Sequence, residues 1–298
     1  MKNIIIIGAG PAGISAGIYA ARAGIHVTIF DENVAGGQAM NISTIENYPA
    51  IENISGAEFA VKLYNHAVNS GVNFIQENVD NVDFLGEKKK VFAGNNIYES
   101  KYIIIANGVR RRELGCKGEK EFKGKGVSYC AVCDGNFFKG QDVCVVGGGN
   151  SAIENALYLS QLCNKVYIFI RKDRFKEENR LVELLKEKKN VQIIYESEVI
   201  EIKGKGKVSS VLIKKDNIIS EVEVSGVFIA IGYVSNNNMF KKFLNISKEG
   251  YIITNENCET NIEGVYAAGD TRLKNVRQIV TAEADGAIAV STIVMKQV

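Results

Sequence analysis

Cys130 and Cys133 stand two residues apart in the stretch YCAVCDG, with Asp134 directly behind them. A pair spaced in this way can be half of a zinc site, a structural staple, or a dithiol that is oxidised and reduced on each turnover. A structural zinc site is four-coordinate and needs two further ligands. The chain has no second CxxC, and its 2 histidines, His26 and His66, both lie far upstream. No metal is therefore expected. The remaining alternatives turn on what surrounds the pair.

Two segments are built to hold dinucleotides. In NIIIIGAGPAGISAGIYAARAGIHVTIFDE, a β-branched strand runs into Gly8-x-Gly10-x-x-Gly13 with Pro11 and Ala12 between, then into an alanine-rich helix. A second strand over residues 25–30 follows and ends at Asp31 and Glu32. In such a fingerprint the first glycine permits the tight turn, the second lets backbone approach a pyrophosphate, and the third lets helix pack on strand. The helix N-terminus offers unpaired N–H groups to phosphates, and the acids suit ribose hydroxyls.

The unit recurs as QDVCVVGGGNSAIENALYLSQLCNKVYIFIRKDRF, with Gly147, Gly149, Asn150, Ser151 and Ala152 at the turn. The strand over residues 165–170 here ends in Arg171 and Lys172, followed by Lys176. A base now stands where the first copy has Glu32. Guanidinium and ammonium groups suit a 2′-phosphate, so the second site is expected to take NADP(H) and the first a different dinucleotide.

Each copy closes with an apolar strand running into glycine, YIIIANG ending at Gly108 and VFIAIG ending at Gly232. A later segment, GVYAAGDTRLKNVRQIVTAEADGAIAV, returns to strand, Gly269-Asp270, loop and helix. The expected architecture is α/β, with two Rossmann-like dinucleotide-binding domains, the second inserted into the first. The first would span 1–111 plus 239–298 and the second, carrying the CxxC, 112–238. A small β-meander is expected around 80–100.

The totals are those of an ordinary soluble globular chain: 298 residues, 46% hydrophobic, 23% charged and net charge +2. Nothing in them points to nucleic acid or to a membrane surface. The lysines at 88–90 read as a solvated hairpin. The N-terminal apolar run of four isoleucines is too short for a signal peptide or a membrane span, so a cytoplasmic protein is expected. Thiols stay reduced there, so 6 cysteines are not a disulfide scaffold; Cys116, Cys144, Cys163 and Cys258 read as small buried or neutral residues.

The ordered set GAGPAG, GGQ at 36–38, IENYP at 45–49, CAVCDG, GGGNSAIENALYLS, RKDRF, YAAGD and RQ at 277–278 resembles low-molecular-weight thioredoxin reductases across essentially the whole chain. The resemblance implies FAD in the first domain, NADPH in the second, a homodimer, and electron transfer to thioredoxin. It implies hydride passing from NADPH to the flavin, and reduced flavin then attacking a Cys130–Cys133 disulfide, with Cys133 nearest the flavin and Cys130 attacking thioredoxin. Asp134 matches the family's acid/base, and its adjacency fits a group that protonates a departing sulfur. Asp270 matches an acid that hydrogen-bonds the ribityl chain or phosphate end. Gly37, Gln38, Asn47, Arg277 and Gln278 match positions around the isoalloxazine, where the last helix would present its positive end. The two linkers, near 108–115 and 232–239, would act as hinges, the second polar and loose. The absence of any histidine after His66 separates the chain from the larger class that resembles glutathione reductase.

Some positions depart from the family's pattern. Its basic motif begins with histidine and two arginines, where this chain has Ile170, Arg171 and Lys172, and lysine lacks the bidentate fork. Asn107 replaces a threonine, and Ser235 and Lys117 stand where proline is common. Donor preference is what these changes touch. The alternatives left open are ferredoxin or NADH as donor, a ferredoxin–NADP reductase of the same fold, and a flavin redox sensor that does not turn over.

Overall fold

The computed structural model describes residues 3–42, 44–175 and 180–296. The chain forms two compact units, one made of Met1–Arg110 with Val234–Val298 and the other of Arg111–Tyr233.

The first unit is organised by a five-stranded parallel sheet. Its strands run in the order Val265–Ala267, Tyr102–Ile105, Asn3–Ile7, His26–Phe30, Asn73–Ile75. Successive side chains on a strand point to opposite faces, and the isoleucine run is apolar at every position because both faces are covered. Ile4 and Ile6 pack with Ile14, Ala16 and Ile18 of the helix Pro11–Arg22 and with Ala289 and Ile293 of the last helix, Ile279–Met295. Ile5 and Ile7 pack on the other side with Val82, Phe84 and Val91. These last residues belong to an antiparallel meander, Val79–Asp83, Lys89–Ala93 and Asn96–Ser100, and to the turn within it. Each fully buried isoleucine contributes about 1.5–3 kcal/mol.

The second unit repeats this plan. Its parallel sheet runs Val191–Tyr195, Lys165–Ile170, Asp142–Val146, Gly226–Ile229, Val127–Ser128. Val143 and Val145 pack against Ala152, Ile153, Ala156 and Leu159 of the helix Asn150–Ser160. Cys144 and Val146 face a second antiparallel meander, Ser197–Gly204, Val208–Lys215 and Ile218–Glu223, through Val199, Ile202 and Val211. Cys144 is thus a small core residue on the meander side.

Two sequence expectations need correction. Lys89 is not solvated: it is buried, and its Nζ donates to the Gly86 carbonyl at 2.6 Å. The segment 232–239 is not uniformly loose. Asn237 is 1% exposed; its Nδ2 donates to the carbonyls of Gly250 and Thr271, and its Oδ1 accepts from Thr271 Oγ1 at 2.8 Å. A buried amide held on both sides ties this stretch to Gly250 and Thr271 of the first unit.

Candidate active site

The first fingerprint sits at the C-terminal end of the central strand, where open α/β sheets take ligands. Gly8 has φ +110°, and a Cβ there would lie 2.4 Å from the Ala106 carbonyl oxygen. A Cβ on Gly13 would lie 1.9 Å from the Gly8 oxygen, so this helix can approach its strand only with glycine. A Cβ on Gly10, by contrast, would meet only the Gly37 Cα, at 3.9 Å, which leaves that side of the loop open. No side chain caps the helix at Gly10, and Pro11 opens it ahead of Ala12. Gly13→Ala is expected to cost about 1–3 kcal/mol by overpacking, read as a lowered Tm.

Both carboxylate oxygens of Asp31 are engaged by the chain itself. Oδ2 accepts from Ala9 N–H at 2.7 Å and Oδ1 from Asn33 N–H at 2.9 Å. Asp31 therefore braces the glycine loop against the strand end, and exposed Glu32 is the acid better suited to ribose hydroxyls.

Three further segments meet near this loop. Gly37, at φ +55°, packs so that a Cβ would sit 3.0 Å from the Gly10 Cα. Gln38 follows, its Nε2 3.5 Å from the Val109 carbonyl, and Gly108 just before that residue also has positive φ, +59°. Asn47 Nδ2 donates to Gln278 Oε1 at 3.0 Å. Gln278 is the N-cap of the last helix and forms a reciprocal capping box with Thr281, so the helix opening is fixed. Arg277 stacks its guanidinium over Tyr251 at 4.1 Å.

Asp270 Oδ1 and Arg277 Nε are among the buried polar atoms of this unit that have no hydrogen-bond partner, with Asn107 Oδ1, Glu283 Oε1 and Glu77 Oε2. Burial pushes the Asp270 carboxyl above the ordinary carboxylate range, with Lys274 and Arg277 pulling it back down. An orphaned acceptor and an orphaned donor beside an open glycine loop fit a polar ligand carrying hydroxyl donors and carbonyl acceptors.

The turn that carries Asp270 is held by a residue that sequence reasoning missed. Asp285, in the last helix, accepts from Gly269 N–H at 3.0 Å, Arg272 Nη1 at 2.7 Å and Lys274 Nζ at 2.9 Å. The available signal was a pair of acids, Glu283 and Asp285, in the otherwise apolar stretch TAEADGAIAV, where charge is buried only with partners.

In the second unit, Gly147 has φ +147°, and a Cβ there would lie 2.2 Å from the Ala230 oxygen. A Cβ on Gly149 would meet nothing within 4 Å. Asn150 and Ser151 open the helix and are exposed, and Ala152 is fully buried beneath the turn. The strand ends at buried Ile170, after which Arg171 and Lys172 are exposed. Lys176 lies outside the described residues.

Cys130 and Cys133 form a disulfide. Cys130 caps the short helix Ala131–Asp134, its Sγ accepting from Cys133 N–H at 3.2 Å. A Cβ on the next residue, Gly135, would come within 3.1 Å of Leu159 and Tyr158, so the turn is seated directly on the helix Asn150–Ser160. Asp134 Oδ2 accepts from Ser128 Oγ at 2.6 Å. Buried Glu119 anchors the approach, accepting from Tyr129 Oη at 2.6 Å and from the N–H groups of Leu114 and Gly115.

Cys133 is exposed, whereas Cys144, Cys163 and Cys258 are buried and Cys116 is half-buried. Burial pushes the thiols of Cys116 and Cys163 up to about 11 and that of Cys258 to about 12, with Cys144 higher still. Only the disulfide pair combines access with an adjoining acid. Among the described residues no cluster of three or more His, Cys, Asp or Glu could hold a metal ion, and no helix is long and apolar enough to cross a membrane.

A family model described as pyridine nucleotide-disulphide oxidoreductase matches residues 2–286. The chain is 41% identical over 295 residues to the thioredoxin reductase of Bacillus subtilis, covering 98% of this chain and 93% of that protein. Among solved structures it is similar to the Lactococcus lactis thioredoxin reductase, with TM-score 0.91, 36% identity, and 99% and 98% of the two chains covered. The thioredoxin reductase of T. acidophilum gives TM-score 0.88 at 34% identity, covering 100% of this chain and 99% of that one.

Proposed function

Since the chain belongs to the pyridine nucleotide-disulphide oxidoreductase family, we propose that it is a flavin-dependent thioredoxin-disulfide reductase, taking electrons from NADPH and delivering them through Cys130 and Cys133 to thioredoxin. The observation that carries this reading is an accessible, acid-flanked disulfide inside a unit that has its own nucleotide fingerprint and is itself inserted into a second fingerprint unit.

In the first unit, FAD would be held by the loop Gly8–Gly13, by Glu32, by Asp270 Oδ1 and Arg277 Nε, and by the cluster of Gly37, Gln38, Asn47, Gly108, Gly269 and Gln278. In the second, NADPH would be held by Gly147, Gly149, Asn150, Ser151 and Ala152, with Arg171, Lys172 and Lys176 on the 2′-phosphate. When bound, the flavin supplies the two-electron relay between nicotinamide and disulfide.

The chain's own groups then carry the exchange. The Cys130 thiolate attacks one sulfur of the acceptor disulfide, forming a mixed disulfide and expelling the other sulfur, which takes a proton from Asp134. The Cys133 thiolate next attacks Cys130 Sγ, re-forming the internal disulfide and releasing the second acceptor sulfur, which takes a proton from solvent. The acceptor gains two electrons and two protons, and the pair returns to its oxidised form.

A homodimer goes with the family reading, and sedimentation of the purified protein tests it. A reducing cytoplasm suits the chain, because Cys116, Cys144, Cys163 and Cys258 remain thiols.

Anaerobic titration with NADPH tests the donor side. The expected result is bleaching of the flavin with electron uptake beyond what the flavin alone accepts, followed by re-oxidation on adding thioredoxin disulfide. Bleaching by dithionite but not by NADPH would replace the donor with another, such as ferredoxin. Arg171→Ala with Lys172→Ala removes two charge-assisted contacts. It is expected to raise the Michaelis constant for NADPH by roughly tenfold or more, with little change for NADH. Equal changes for both nucleotides would dissociate these side chains from the 2′-phosphate.

A further inference from the structure

Ser128 lies at the edge of the second unit's parallel sheet, where the strand Val127–Ser128 pairs with Gly226–Ile229. It is 6% exposed, and its hydroxyl meets three groups. Oγ accepts from Cys130 N–H at 3.0 Å. It stands 3.2 Å from the Cys130 carbonyl oxygen and 2.6 Å from Asp134 Oδ2. A hydroxyl has a single proton to donate. The contact of 2.6 Å is the stronger of the two, so the proton goes to Asp134 Oδ2, which can accept whether or not the other carboxyl oxygen carries a proton. One oxygen thus links a sheet edge to the backbone of the first redox cysteine and to the acid behind the second. A buried hydroxyl left without these partners would itself cost free energy, which makes the linkage self-supporting.

We propose that Ser128 is a positioning residue for the disulfide exchange. By engaging Asp134 Oδ2 it fixes the carboxylate beside the cysteine pair, and the proton of the exchange is handled at the other oxygen. Asp134 reaches this arrangement from a four-residue helix, an element too short to hold a side chain by itself. The rigid support comes from the sheet. The inference rests on reading Asp134 as the acid, so the experiment must separate the two.

The test is a double-mutant cycle on the flavin-loaded protein, following turnover with thioredoxin disulfide and, separately, anaerobic bleaching by NADPH. Ser128→Ala is expected to lower kcat by about tenfold, a part of what a positioned acid contributes, with the Michaelis constant for thioredoxin and the rate of bleaching unchanged. Ser128→Thr keeps the hydroxyl and should keep most of the rate. In an Asp134→Asn background, Ser128→Ala should cost nothing further, because residues that act as one unit are not additive. A similar loss in both backgrounds would overturn the proposal, since Ser128 would then merely brace the backbone. Unchanged turnover in Ser128→Ala with a large loss in Asp134→Asn would overturn it too, leaving Asp134 as the acid. Unchanged turnover in Asp134→Asn would overturn the reading of Asp134 and this proposal with it. Thermal unfolding of each variant and intact NADPH bleaching distinguish a lost proton path from a damaged fold.

Discussion

Replacing Cys130 by serine is expected to lower thioredoxin reduction by roughly three orders of magnitude or more, while NADPH still bleaches the flavin. The expectation depends on whether another thiol can substitute. The nucleophile in exchange is the thiolate, and burial pushes Cys116 and Cys163 up to about 11 and Cys258 to about 12. At pH 7 a thiol of pKa 11 is ionised in only about one molecule in ten thousand. Cys144, Cys163 and Cys258 are also closed off from a protein substrate by burial. None of these four thiols can therefore substitute, and Cys133, left alone and exposed, can form a mixed disulfide but has no partner sulfur with which to release the acceptor. Electron uptake from NADPH in the variant should fall to what the flavin alone accepts. Turnover at the wild-type rate would remove Cys130 from the path and return the pair to the role of a structural staple.

Much of this was legible in the sequence because it is local. The strand-turn-helix fingerprints announce themselves through glycines whose neighbours leave no room for a Cβ, at Gly8, Gly13 and Gly147. The isoleucine run and its counterpart DVCVV read as the strands that lead into these turns. Less was legible where the partner lies far along the chain. The meander over Ser197–Glu223 escaped notice because its strands carry lysine and glutamate on the solvent side, although Asp216 and Asn217, both at positive φ, mark its hairpin turn. Asn236 and Asn237 read as a loose polar linker because nothing in the sequence reveals the carbonyls of Gly250 and Thr271 that hold Asn237. Lys89 is a different case: its acceptor, the Gly86 carbonyl, is close in the chain, but nothing in the run of lysines at 88–90 marks which one turns inward. Asp31 and Glu32 look equivalent in sequence, and only the register of the strand turns one toward the glycine loop.

Asp285→Ala is expected to destabilise the first unit by about 3–5 kcal/mol, because it breaks a buried ion cluster by removing its single shared acceptor. The Asp285 side chain is 8% exposed, with Arg272 at 13% and Lys274 at 10%, and it meets both cations below 3 Å. Alanine would take the counter-charge from two largely buried cations and also leave Gly269 N–H without its acceptor. Arg272 keeps bonds to Thr254 Oγ1 and the Asn255 carbonyl, which soften the loss on that side. Lys274 keeps a 3.4 Å bond to Thr281 Oγ1 and has one charged escape, since it already acts on the Asp270 carboxyl, whose Oδ1 is otherwise unpartnered. A loss well below this range in the flavin-free protein would mean that Lys274 had turned to Asp270. Pairing there would occupy the group assigned to FAD, so flavin retention should then fall more steeply than stability. Asp285→Asn separates the contributions, because the amide oxygen can still accept from Gly269 but carries no charge. It should recover the geometry of the Gly269–Asp270 turn and only part of the stability. Denaturant unfolding of flavin-free and flavin-loaded protein, with flavin release followed by fluorescence, reads both quantities. Wild-type stability and wild-type flavin retention in Asp285→Ala would show that the turn is held by the last helix's packing on Pro11–Arg22, where a Cβ on Gly286 would sit 2.2 Å from the Ala12 oxygen, and not by charge.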